Sequence, residues 1–99
     1  MLSPKFRNLL GFIEDKKVLI TTHNLVDIDG LASCYALNYF INQYFDNPTV
    51  SIFFSEFSKS TKEFMKKFSD KFREFKFSYE KDVILSNFDV CLILLDRSQ

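Results

Sequence analysis

His23, Asp27 and Asp29 are the residues of this chain whose types and spacing could do chemistry. They sit in Val18-Leu-Ile-Thr-Thr-His-Asn-Leu-Val-Asp-Ile-Asp-Gly30, where an apolar run delivers one imidazole and two carboxylates to its end. Hard divalent cations prefer carboxylate oxygens, and imidazole suits the transition metals among them. Open α/β sheets place ligands at the carboxyl ends of their strands. The segment therefore points to metal-dependent phosphate chemistry.

These side chains need a strand behind them and a helix after them. Residues 18–22 lack polar alternation, as expected for a strand covered on both faces. Residues 23–29 read as a loop. Residues 30–45 are apolar almost all round and predict a largely buried helix, stopped by Asp46-Asn47-Pro48. Before the first strand, Ser3 and Pro4 open a helix that runs to about Asp15, with Phe6, Leu9, Leu10 and Ile13 at helical spacing. Downstream, residues 49–54 predict a strand and residues 55–60 a polar loop. Ser60 is the expected cap of a helix running to about Arg73, with Glu63 completing a capping box. Phe64, Phe68 and Phe72 form its apolar stripe. Residues 75–79 read as a further strand and residues 82–87 as a short helix or turn. Residues 90–95 form an unbroken apolar strand that ends at Asp96. Strands alternating with helices predict an α/β fold, Rossmann-like, with a mainly parallel sheet flanked by helices. A last strand with no returning helix is expected to leave one sheet face poorly covered.

Length and composition limit the alternatives. Ninety-nine residues make one small domain, and 46% hydrophobic residues suffice for a core. Thirteen basic and 13 acidic side chains cancel, so no global field draws the chain to nucleic acid or membrane. No apolar run approaches the ~18 residues of a membrane helix, and the N-terminus lacks a signal-peptide core. Cys34 and Cys91 read as reduced core residues, which predicts a cytoplasmic protein.

The pattern His23-x-x-x-Asp27-x-Asp29-Gly30, followed by the strand-final Asp96 of Leu92-Ile-Leu-Leu-Asp96-Arg-Ser, resembles the DHH phosphoesterase superfamily. That group holds manganese-dependent pyrophosphatases, oligoribonucleases, cyclic dinucleotide phosphodiesterases and RecJ-type exonucleases. The spacing is more similar to the pyrophosphatase and oligoribonuclease branches. The resemblance implies a two-metal phosphoesterase. His23, Asp27 and Asp96 would bind one ion, Asp29 and Asp96 the other, and Asp96 would bridge. Asp27, Asp29 and Asp96 would thereby be catalytic. The implied ion is Mn2+, with Mg2+ or Co2+ as substitutes. The implied substrates are small nucleotides or short oligonucleotides, and a homodimer is admitted. The Asp-His-His triplet, a further metal-binding Asp and the substrate domain of the family are absent from these residues. The expectation is thus the amino-terminal part of a DHH domain, inactive by itself.

Other readings of the same residues remain open. Asp-x-Asp is common in turns, where Asp bonds local backbone. A non-catalytic module that binds a nucleotide or partner would keep the fold without the chemistry. Asp27-Ile-Asp29 is also similar to the Asp-x-Asp-x-Thr of haloacid-dehalogenase-type phosphatases, but Leu31 stands at the Thr position and residues 23–26 separate the Asp from the strand. Ser33 lacks a positioned base and reads as a helix-packing residue. Residues 59–76 carry seven basic and three acidic side chains interleaved with Phe. The helical spacing of the Phe residues assigns them to the core and the lysines to a solvated face.

Overall fold

The first helix begins where its cap chemistry dictates. In the computed structural model, which describes residues 3–95, Ser3 accepts the Phe6 N–H and Pro4 occupies the first turn. Helix α1 then spans Pro4–Ile13 and buries Leu10 and Ile13. Asp15, at φ 61°, turns the chain into β1, Lys17–Thr21. After it come β2 (Leu25–Val26), α2 (Ile28–Tyr44), β3 (Thr49–Ile52), β4 (Glu56–Phe57), α3 (Lys59–Lys71), a 3-10 turn at Leu85–Asn87 and β5 (Val90–Ile93).

The chain is an α/β protein whose main sheet is parallel, in the order β3-β1-β5, flanked by helices in a Rossmann-like arrangement. The central position of β1 explains its unbroken apolar run. Val18 and Ile20 lie opposite Val50 and Ile52 on one side and Val90 and Leu92 on the other. That face joins Leu10 and Ile13 of α1 and Leu31, Cys34 and Ile41 of α2 in one core. Leu19, fully buried, points to the opposite face. Burying each such side chain contributes about 1.5–3 kcal/mol. A second, two-stranded sheet pairs β2 with β4, also in parallel.

Several details differ from the sequence expectations. Helix α2 starts at Ile28, two residues before Gly30, and it is not buried all round: Tyr39 is 63% exposed and Tyr44 51%. One side of α2 faces the sheet and its flanks meet aromatic neighbours. Phe40 touches Phe6 of α1, and Tyr35 touches Phe54, Phe75 and Phe77. Helix α3 is capped by Ser58, whose hydroxyl oxygen accepts the Thr61 N–H, and not by Ser60. The Ser58 N–H is itself held by the Val26 carbonyl, so the pairing of β2 with β4 sets where α3 can start.

Residues 75–79 do not form a strand. Phe75 and Phe77 pack against Phe68 and against each other, and this ring cluster takes the segment away from the sheet. Only Glu80 reaches the outer edge of β3, where its N–H donates to the Ile52 carbonyl and its carbonyl accepts the Phe54 N–H.

Cys91 is exposed, contrary to the expectation of a buried core residue. It alternates with buried Val90 on β5, and Ile93 and Leu95 on its face are 59% and 71% exposed. The period-2 alternation of a strand thus puts Cys91 and Ile93 of β5 in solvent and turns Val90 inward.

Candidate metal-binding site at the carboxyl end of the central strand

The three chemistry-bearing side chains leave the same end of β1. His23 follows the strand by two residues and is exposed. The chain then forms β2 and turns at Asp27 into α2. Asp27 is the N-cap of that helix: its Oδ1 accepts the Gly30 N–H at 2.7 Å. This bond answers one of the donors that every helix start leaves without a partner inside the helix. It also fixes one oxygen of the half-buried carboxylate. Asp29 lies in the first turn of α2, exposed, where the positive end of the helix dipole favours its negative charge.

Gly30 is needed for close approach and not for backbone freedom, since no glycine here has positive φ. A Cβ on Gly30 would meet Asp27 Oδ1, Thr22 Cγ2 and Thr22 Oγ1, each at 3.1 Å. The helix start is thus seated directly on the end of β1.

Strand β5 runs parallel to β1 and ends beside it. The Leu94 N–H donates to the Thr21 carbonyl at 2.9 Å, and Thr22 Oγ1 donates to the Leu94 carbonyl at 2.8 Å. The strand that leads to Asp96 therefore reaches the same sheet end as His23 and Asp27. Asp96 itself lies outside the described residues.

Among the described residues no three His, Cys, Asp or Glu side chains come together as a group able to hold a metal ion. Neither ion of the two-metal scheme would take three ligands from those residues. The first would take His23 and Asp27, the second Asp29, and each would share Asp96. Carboxylates suit Mn2+ and imidazole suits transition metals, but the described residues alone do not bring enough of these donors together for an ion.

A cavity of about 840 Å³ lies elsewhere. Lys17, Val18, Thr49 and Val50 line it, which places it at the amino ends of β1 and β3. Ligand sites of open parallel sheets generally form at the other end, where His23 and Asp27 lie.

The hydrogen bond from Thr22 Oγ1 to the Leu94 carbonyl has no counterpart in the local sequence pattern. The pairing of β2 with β4 has none either, because a two-residue strand carries no periodic signal. Among the described residues no helix is long and apolar enough to cross a membrane. No family model, curated protein or solved structure matches the chain.

Proposed function

We propose that these residues form the first half of the metal centre of a DHH-type phosphoesterase, acting on small nucleotides or short oligonucleotides. One observation carries the reading. The carboxylate of Asp27, preceded by His23 and followed by Asp29, is fixed at the carboxyl end of a central parallel strand whose neighbour leads to Asp96.

His23, Asp27 and Asp96 would hold one Mn2+, and Asp29 and Asp96 the other. Two such ions, when bound, acidify a water and clamp phosphoryl oxygens. The chain's own contribution is orientation. The Gly30 N–H pins Asp27 Oδ1, so its other oxygen points in one direction without an entropy cost at binding. The start of α2 offers the positive end of its dipole to a phosphate. Ser58 holds the start of α3 against Val26, next to Asp27, and keeps the loop from spreading. Buried Cys34, as a reduced thiol, suits a cytoplasmic setting.

The test is hydrolysis of a dinucleotide and of 3′-phosphoadenosine phosphate by the whole protein in Mn2+, with Asp27→Asn alongside. Turnover that disappears in the variant supports the reading. A second reading, a non-catalytic nucleotide- or partner-binding module, draws on the lack of a three-ligand group among the described residues. Nucleotide binding without turnover, unchanged in Asp27→Asn, would favour it.

A further inference from the structure

The positive charges of α3 follow a line. Lys59, Lys62 and Lys66 recur at i, i+3 and i+7, so they share one face of the helix over about 10 Å of its length. All three are exposed. Where that line ends, a cavity of about 540 Å³ opens between the second half of α3 and residues 73–79. Lys66, Arg73 and Lys76 line it together with Asp70, three cations against one carboxylate. The helix dipole does not account for them. Lys71 is the basic residue in the last turn of α3, where it answers the negative end, and it is not part of the cavity wall.

The far wall of the cavity is aromatic. Phe75 lines it and is 38% exposed, so the rings of this stretch are not all core. Phe68, Phe77 and Tyr35 brace the Phe75 ring in edge-to-face arrangements, with centroids at 5.4, 4.9 and 5.9 Å. A ring held in this way is ordered before a ligand arrives, which lowers the cost of binding. A line of cations ending at an exposed ring matches the needs of single-stranded nucleic acid. Cations track the phosphates, and a base stacks on the ring. The bases of a duplex are stacked on each other and offer no such face.

We propose that the α3 stripe and this cavity form a binding site for single-stranded nucleic acid. Lys59, Lys62 and Lys66 follow the phosphates, Arg73 and Lys76 hold the phosphate beside Phe75, and one base stacks on the Phe75 ring. The site needs no metal ion and stands independently of the phosphoesterase reading. A free mononucleotide would fill the cavity but leave Lys59 and Lys62 unused, so the stripe favours an oligonucleotide. A membrane would meet a protruding surface, whereas these cations surround a hollow of the size that encloses a small ligand.

The experiment is fluorescence anisotropy of a labelled oligothymidylate of about ten nucleotides, titrated with the 99-residue chain in EDTA over a series of KCl concentrations. Circular dichroism checks the fold of each variant. Lys66→Gln/Arg73→Gln/Lys76→Gln should flatten the slope of log affinity against log salt by about two units, roughly 0.7 for each lost contact. Lys5→Gln/Arg7→Gln/Lys17→Gln removes the same charge from α1 and the start of β1 and should keep the wild-type slope. Phe75→Leu should weaken binding about 5-fold or more with the slope unchanged, and Phe75→Tyr, which keeps the ring, should bind like wild type. A wild-type chain that leaves the oligonucleotide free at low salt would overturn the proposal. So would equal slopes in the two triple variants, wild-type affinity in Phe75→Leu, or a mononucleotide that binds as tightly as the oligomer. Binding to phosphatidylserine vesicles in place of the oligonucleotide would assign this face to a membrane and overturn the site as described. If Phe75→Leu does not fold, the two triple variants decide.

Discussion

Asp27 Oδ1 accepts the backbone N–H of Gly30 at 2.7 Å, so the residue proposed as a metal ligand is also the cap of α2. The two roles separate by substitution. Asn caps a helix about as well as Asp, whereas Ala costs about 0.5–2 kcal/mol. Asp27→Asn should therefore unfold at nearly the wild-type denaturant midpoint, and Asp27→Ala at a lower one. Equal midpoints for Ala and wild type would mean the cap contributes nothing.

Gly30→Ala sets two effects against each other. Alanine favours the helix by about 1 kcal/mol. Its Cβ would press at 3.1 Å on Asp27 Oδ1 and on both branches of Thr22. Asp27 Oδ1 accepts the Gly30 N–H and Thr22 Oγ1 donates to the Leu94 carbonyl, so even a small retreat of either oxygen strains a hydrogen bond. The packing loss should win, and Gly30→Ala should be less stable than wild type in chemical denaturation. A more stable variant would show that Thr22 and Asp27 can move apart freely.

The two thiols should behave differently. Cys34 is buried and Cys91 exposed. Burial pushes the Cys34 thiol up to about 12, so it is neither reachable nor ionised at neutral pH. A thiol reagent should label Cys91 in the native chain and Cys34 only after unfolding. Labelling of both at the same rate in the native chain would contradict the core described for α2.

The same burial sets a pH dependence. The Cys34 thiol ionises at an ordinary 9.0 when unfolded and at about 12 when folded. Above pH 9.0 the unfolded chain releases this proton and the folded chain keeps it. Stability is thus fully present below that pH and is lost between there and about 12. The neighbouring Tyr35 hydroxyl is raised as well, mainly by burial and then by Tyr79 and Cys34, and it adds to the alkaline loss. Denaturation midpoints measured across this window should fall, with the fall starting later in Cys34→Ala. A flat profile in the wild-type chain would contradict the burial.

How far the sequence carries depends on which interactions decide each element. The apolar run 18–20 names a central strand because only a strand covered on both faces needs it, and β1 is that strand. Ser3 with Pro4 is a local signal that appears in the structure, and of the expected stripe Phe64 and Phe68 pack together on α3, whereas Phe72 is its exposed C-cap. Ser60 has the local pattern of a cap, but the tertiary bond from the Ser58 N–H to the Val26 carbonyl sets the helix start at Ser58. Residues 75–79 have strand-like composition, yet rings on α2 and α3 offered a better partner than the edge of β3. His23, Asp27 and Asp29 stand out in the sequence because metal-ligand chemistry calls for particular side chains, and the structure brings Asp27 and Asp29 to the start of α2. Thr22 does not stand out, because its hydrogen bond goes to the carbonyl of residue 94, which no local pattern announces.

Mn2+ binding tests the central claim most directly. Calorimetry on the 99-residue chain should show weak but measurable Mn2+ binding, since few protein ligands are present for either ion. His23→Ala and Asp27→Asn should each reduce it below detection, and Asp96→Asn likewise, while the folded state persists by circular dichroism. Mn2+ affinity unchanged in Asp27→Asn would contradict the account, because that variant keeps the helix cap and loses only the ligand charge.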